Sequence, residues 1–371
     1  MTNERGLPDV LRGLNGNAIE TVEAWRSARR PEILELFRTH VYGRAPVGRP
    51  ASLTFETVVT PGAMNGAVVR KQVDMRFEGP GGTGKIRLLL FIPSGQKGPV
   101  PVFLFINNRE ALTTDPDRRA AAAFWPAERI VARGYAAAAF DVEEADPDVD
   151  DGFKDGVHGI FDRYDGERPQ DAWATIAAWA WAASRAMDYL ETDADLDAGR
   201  VAVVGHSRGG KTALWAGALD ERFALVVSNE SGSTGAALSR GKRGETIQAI
   251  NDQFPHWFNG NYKSFNGRED ALPVDQHMLI AAIAPRYVYV ASAVQDQWAD
   301  PASEFASLVE AAPVYRLYGY NGLGESSFPA PESPLIGERM GYHLRSGVHD
   351  LTDYDWDRFM DFADAGALKR F

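Results

Sequence analysis

Between Arg200 and Ala218 the chain reads RVAVVGHSRGGKTALWAGA. An apolar run leads into Gly205-His206-Ser207-Arg208-Gly209, and an amphipathic stretch follows at once. A serine with a glycine two residues to either side, on a sharp turn from strand to helix, is the pattern of a nucleophile elbow. Small neighbours are needed because the serine sits in a strained turn where side chains would clash. A helix starting beneath Ser207 turns free N–H groups and the positive end of its dipole toward any negative charge formed there. The backbone N–H of Arg208 is the expected oxyanion donor. The chemistry this implies is acyl transfer through a serine ester.

A serine hydroxyl is a weak nucleophile and needs a general base, normally histidine. Elbow enzymes carry their groups in the order serine, acid, histidine, so the base should come late among the seven histidines. His206 adjoins the serine and is expected to point elsewhere. His256 and His277 lie mid-chain, the latter inside the helical run DQHMLIAAIA. His343 and His349 remain, in GYHLRSGVHDLTDYDWDRF. His349 follows Gly347 on a loop just ahead of the last helix and is the expected base; His343 is expected to be a polar or packing neighbour. Two carboxylates compete for the acid. Asp296 sits at the C-terminal end of the strand PRYVYVASAV, and Glu230 ends the strand directly after the nucleophile helix. Both are strand C-terminal positions, where α/β sites form, and the pattern leaves the choice open.

The elements that must position these groups follow from periodicity. Ala24–Tyr42 has apolar residues at helical spacing, with Pro31 at a helix start, and residues 1–50 are expected to form an N-terminal arm. Strands are predicted over Ser52–Val59, Val68–Phe77, Ile86–Ile92 and Val100–Ile106. Beyond them buried strands and helices alternate. VPVFLFI, YAAAAFDV, VAVVGHS, FALVVSN, PRYVYVASAV and PVYRLYGY are predicted strands. AAAAFWPAERIVARG, Asp171–Leu190, KTALWAGALD and Asp355–Ala363 are predicted helices. Continuous apolar strands alternating with helices predict a mostly parallel sheet covered on both faces. No internal repeat or low-complexity linker interrupts residues 1–371, so a single domain is expected. Trp173, Trp179 and Trp181 fall on the long helix and are expected in the core.

Bulk composition narrows the function classes. The net charge of −12 disfavours nucleic acid and anionic membrane surfaces as partners. The absence of cysteine excludes disulfides, thiolate zinc sites and a cysteine nucleophile. The polar start, MTNERGLPDVLRGLNG, suggests no signal peptide, and no later run is long and apolar enough to span a bilayer. Neither metal nor cofactor is expected. The oligomeric state is not encoded in any pattern, a monomer being the expectation.

Several long stretches, in order, resemble the glucuronoyl esterases of carbohydrate esterase family 15, in its bacterial branch. They are GHSRGGKTALWAGALDERF, NESGSTGAALSRGKRGETI, FPHWF, LPVDQHMLIAAIAPR, DQWADP and GYHLRSGVHDLTDYDW. The resemblance runs from about residue 90 to the end. It implies an α/β-hydrolase fold, a three-layer sandwich, and hydrolysis of esters of (4-O-methyl-)glucuronic acid such as those joining xylan to lignin alcohols. It places Ser207 as nucleophile, His349 as base, Glu230 as acid and Asp296 as a second acid. It gives Arg208 an oxyanion role through both backbone and guanidinium, and gives Lys211, Glu245, Gln253 and Trp298 the glucuronate hydroxyls and ring. It also implies export, although the polar start leads to no expectation of a signal peptide. These roles suit the side chains. A guanidinium beside the nucleophile stabilises developing charge, and Lys211, one helical turn after Ser207, can share its face. Glu245 and Gln253 offer acceptors and an amide to hydroxyls, and Trp298 a flat apolar platform. The alternatives are a carbohydrate deacetylase, such as an acetyl-xylan esterase, with the same triad, and a non-catalytic carbohydrate-binding homologue. A peptidase is disfavoured by the lack of a separate propeller or lid domain.

Overall fold

The computed structural model describes residues 5–119 and 122–369. Its ten strands are β1 (Thr54–Ala63), β2 (Val68–Gly79), β3 (Gly82–Pro93), β4 (Val100–Asn107), β5 (Ala136–Asp141), β6 (Leu196–His206), β7 (Leu225–Asn229), β8 (Tyr287–Ala293), β9 (Leu335–Ile336) and β10 (Met340–Arg345). They form one sheet in the order β1-β2-β3-β5-β4-β6-β7-β8-β10-β9. From β5 to β10 every neighbouring pair is parallel. The first three strands add an antiparallel wing, and β9 closes the far edge antiparallel to β10.

The parallel strands are buried on both faces. In β4, Val102, Leu104 and Ile106 enter one apolar cluster while Phe103 and Phe105 enter the other. The first cluster is closed by the N-terminal arm (Trp25, Ile33, Phe37), the long helix Thr175–Leu190, the helix Arg208–Leu219 that follows Ser207 and the helix Pro301–Leu317. The second is closed by Ala127–Ala132 and the C-terminal helix Asp353–Phe362, through Ile130, Val131, Trp356 and Phe359. This is the helix–sheet–helix arrangement expected from the alternation of elements, and it places all the parallel strand ends that could bear a site on one side.

Some elements depart from expectation. Of residues 313–320, predicted as a strand, 313–317 instead complete the helix Pro301–Leu317, with Pro313 inside it, and the chain turns at 318–319. Their β-branched and aromatic residues suit a strand in isolation, but Phe305, Leu308, Ala311, Ala312 and Tyr315 are buried at helical spacing and carry the helix through. The helix predicted over 120–134 is confined to Ala127–Ala132, preceded by Pro126; residues 120 and 121 lie outside the described residues. The segment from Val22 to Tyr42 is helical throughout, with Pro31 at the start of its middle section. Trp173, Trp179 and Trp181 are buried as expected, Trp173 just ahead of its helix.

Candidate active site

Strand β6 ends at His206, and Ser207 stands alone between it and the helix Arg208–Leu219. Its backbone is at φ 56°, ψ −125°, in the left-handed half of conformational space that a side chain rarely adopts. The glycines allow the turn. A Cβ on Gly205 would lie 1.9 Å from the Gly209 carbonyl oxygen, so only glycine fits there. The Ser207 N–H donates to the Asn229 carbonyl on β7, while its own carbonyl accepts from Gly210 and Lys211. The first N–H groups of a helix have no intrahelical partner, so those of Arg208 and Gly209 are available at the mouth of the turn.

His349 lies on the loop between β10 and the C-terminal helix, and its ring centroid is 4.4 Å from that of His206, the residue before the serine. Its Nδ1 is 2.7 Å from Asp296 Oδ2 and 3.3 Å from Glu230 Oε2. With the proton on Nδ1 held by carboxylate, Nε2 is the basic nitrogen. Burial works against the imidazolium, but hydrogen bonds to Asp296 and then Glu230 outweigh it and raise the group to about 9. Both acids sought in the sequence therefore face one imidazole.

The two carboxylates differ in their other partners. Asp296 follows β8 and also accepts from the Ala299 N–H. Glu230 is fully buried, with φ 46°, and its carboxylate is shared among several donors. Arg345 donates to its Oε1 at 2.5 Å and the Asp350 N–H to its Oε2 at 3.1 Å. Burial nevertheless raises Glu230 above the usual carboxylate range, against the pull of His349 and Arg345. Arg345 is buried at the end of β10, and its guanidinium also donates to Asp355 and to the carbonyls of Val348 and Asp350. It thus ties the His349 loop, the Glu230 turn and the C-terminal helix together. Asp355 in turn accepts from His343, whose other nitrogen meets the Tyr289 hydroxyl, so His343 is a buried packing and hydrogen-bonding residue. His206 is likewise buried, bonded to Asn229 and Arg109.

On the other side of Ser207, the Arg208 guanidinium lies with Nε 2.8 Å from Asp148 and Nη2 donating to the Asn108 carbonyl. Asp148 also accepts from His256 and from the Trp257 indole. Lys211 is buried and gives its ammonium protons to the carbonyls of Ser231 and Ser233 at 2.6 Å, with Glu245 at 3.8 Å. Burial lowers its pKa. Glu245 accepts from the Trp298 indole, whose ring stands 55% exposed beside the Asp296 loop. Lys211, Glu245 and Trp298 are thereby joined to the acid–base corner. Gln253 is exposed at the end of the helix Ile247–Gln253, next to Phe254, which stacks on Trp257. Sequence reasoning passed over Arg345 and Asp148. For Arg345 a signal was available, a charged residue at the end of an apolar strand, GYHLR, where burial demands a partner.

Among the described residues, Glu230, Asp296 and His349 also form the one grouping with metal-ligand spacing. Their contacts with one another, and Arg345 on Glu230, match an imidazole held by two carboxylates. No helix among the described residues is long and apolar enough to cross a membrane.

The comparisons with known proteins agree with this geometry. The family model described as glucuronyl esterase, fungi, matches residues 78–319. A carbohydrate esterase from an unknown prokaryotic organism is 41% identical, with 96% of this chain and 89% of that protein covered. A 4-O-methyl-glucuronoyl methylesterase of Schizophyllum commune is 30% identical over 84% of this chain and 74% of its own length. The solved glucuronoyl esterase from Solibacter usitatus superposes with a TM-score of 0.91 at 41% identity, covering 97% of both chains. The family 15 enzyme from Teredinibacter turnerae gives 0.87 at 30% identity, covering 97% of this chain and 89% of its own. With this sheet order, this elbow and these relatives, the chain is an α/β-hydrolase and an esterase, and it belongs to the glucuronoyl esterase family of carbohydrate esterases.

Proposed function

We propose that this protein hydrolyses esters of glucuronic acid, with the uronoyl group as the acyl part and an alcohol, such as a lignin alcohol, as the leaving group. The observation that carries the reading is the placement of His349. Its Nδ1 is held by Asp296, its ring rests on His206 beside Ser207, and the Lys211, Glu245 and Trp298 group adjoins the same acid loop.

In this reading Ser207 Oγ attacks the ester carbonyl while His349 Nε2 takes its proton. Asp296, at 2.7 Å, orients the imidazole and stabilises the imidazolium. Glu230, at 3.3 Å and anchored by Arg345, adds negative charge on the same nitrogen and fixes the loop. The N–H of Arg208 and its guanidinium stabilise the tetrahedral oxyanion. His349 then returns the proton to the departing alkoxide, leaving the uronoyl ester on Ser207. Water, deprotonated by His349, releases glucuronate and frees the serine. Lys211, Glu245, Gln253 and Trp298 hold the sugar hydroxyls and ring, so that binding energy far from the carbonyl aligns it with Ser207.

The test is kcat/KM on methyl glucuronate beside an acetylated xylo-oligosaccharide, with the Ser207→Ala protein as blank. Preference for the uronate ester is the expected result. Preference for the acetyl ester would keep the serine chemistry and overturn the acyl-side sugar pocket.

A further inference from the structure

Two loops that the proposed function uses for different purposes are joined by one ammonium. The stretch 242–245 runs alongside 296–300, the loop that carries Asp296 and Trp298. Lys242 Nζ, half-buried between them, donates to the carbonyls of Arg243 at 2.8 Å, Trp298 at 3.1 Å and Ala299 at 3.0 Å. All three of its protons are thereby placed on backbone, and two of the acceptors belong to the acid loop. The same pair of segments is closed by further bonds. Glu245 N–H donates to the Trp298 carbonyl, Arg243 N–H to Asp300, and the Trp298 indole to Glu245. Gly244, at φ 72°, lies so close to the loop that a Cβ would stand 2.4 Å from the Trp298 carbonyl oxygen. The backbones therefore approach too closely for any other residue, and the ammonium sits where carbonyl oxygens converge.

We propose that Lys242 is a positioning residue that sets the spacing between the carboxylate on His349 and the side chains that hold the sugar. This rests on the esterase reading above. Without the ammonium, the carbonyls of Trp298 and Ala299 lose a shared donor in a half-buried seam, and the bonds that remain across it leave the acid loop and the Glu245 stretch less firmly registered. Asp296 would then drift from His349, and Trp298 and Glu245 from the substrate. The charged groups facing Lys242 are Asp300, Glu304 and Glu245, which favour its ammonium form, and Lys211, which opposes it. Burial outweighs them and lowers its pKa to about 8, so the clasp weakens as the pH rises through that value.

The experiment compares Lys242→Met and Lys242→Arg with the wild type, using methyl glucuronate and the sugar-free ester p-nitrophenyl acetate, with melting temperature measured alongside. Because misplacement of a reacting group by about 1 Å can cost ~10²-fold in rate, Lys242→Met is expected to lose about 10-fold or more in kcat on both esters. On methyl glucuronate alone its KM should also rise several-fold. Lys242→Arg should recover most of both, and its kcat/KM relative to the wild type should climb above about pH 8, where arginine keeps its charge and lysine does not. Wild-type kcat and KM in a folded Lys242→Met protein, or a lowered melting temperature as the sole change, would overturn the proposal. Should Lys242→Met fail to fold, the pH ratio decides: a flat ratio of Lys242→Arg to wild type across pH 7–10 overturns it. Failure of the function itself looks different, since a wild type inactive on methyl glucuronate but active on p-nitrophenyl acetate still reports the Lys242 effect on kcat.

Discussion

Almost everything that holds Ser207 lies between Arg200 and Ala218: one strand, three glycines and the first turn of one helix, with a single bond out to Asn229. What holds His349 comes from distant stretches. Glu230 follows β7, Asp296 follows β8, and Arg345 ends β10 and gathers the carbonyls of Val348 and Asp350. The Ser207 turn is thus made by local backbone geometry, and the setting of His349 by long-range pairing of buried charge. A local device is strained but self-contained; a long-range one fails when any member is lost, because a buried charge left without its partner is costly.

The largest expected effect breaks the local half. Ser207→Ala should lower kcat by about 10³-fold or more while leaving the melting temperature almost unchanged, because a small residue is exchanged for a smaller one. Residual activity near that of the wild type would remove Ser207 from the mechanism. The acid pair sharpens the other half. Asp296→Ala is expected to cost about 10²-fold in kcat and Glu230→Gln about 10-fold, since Glu230 already spends its oxygens on Arg345 and Asp350. If the two support one imidazole, the double variant should depart from the product of the single effects. Strict multiplicativity would mean that they act independently.

Arg345→Met tests the long-range pairing as a stability device. It strands the carboxylates of Glu230 and Asp355 in the interior, a loss of about 3–5 kcal/mol for a broken buried pair. A melting temperature lower by several degrees is expected, and an unchanged one would show that the His349 loop, the Glu230 turn and the C-terminal helix hold without it.

The smallest effect is a displacement in pH. His349 is raised to about 9, against burial, by Asp296 and then Glu230. Its neutral form is the base, so kcat/KM should rise with pH toward that value. Removing one anion with Asp296→Asn should move this limb to lower pH, toward the ordinary histidine range. A limb that stays in place would assign the raised value to Glu230 alone. The same shift bears on folding. A histidine whose pKa is raised on folding contributes stability in full below its unfolded value near 6.5, and that contribution fades as pH climbs through about 9.

Legibility in the sequence follows the same division. The elbow, the parallel strands and the candidacy of His349 could be read directly, because they depend on short-range spacing and on continuous apolar runs. Asp296 and Glu230 were both visible, but neither could be preferred. What distinguishes them is that Arg345 sits beside Glu230, 115 residues away in sequence. Lys242 and Asp148 were unreadable for a similar reason, since their partners are backbone carbonyls and side chains on other loops. The segment 313–320 misled because β propensity is a weak prior beside the packing of an established helix.

The sequence alone determined the turn on which Ser207 stands, since a glycine-flanked serine between an apolar strand and an amphipathic helix has one geometry open to it. It determined the layered sheet as well, through strands apolar on both faces. Only the tertiary structure decided that two carboxylates converge on His349, that an arginine claims one of them, and that a lysine joins the Asp296 loop to the stretch that carries Glu245. Those relations depend on which loop tips meet when the parallel strands lie side by side, and distance through space is not written in distance along the chain.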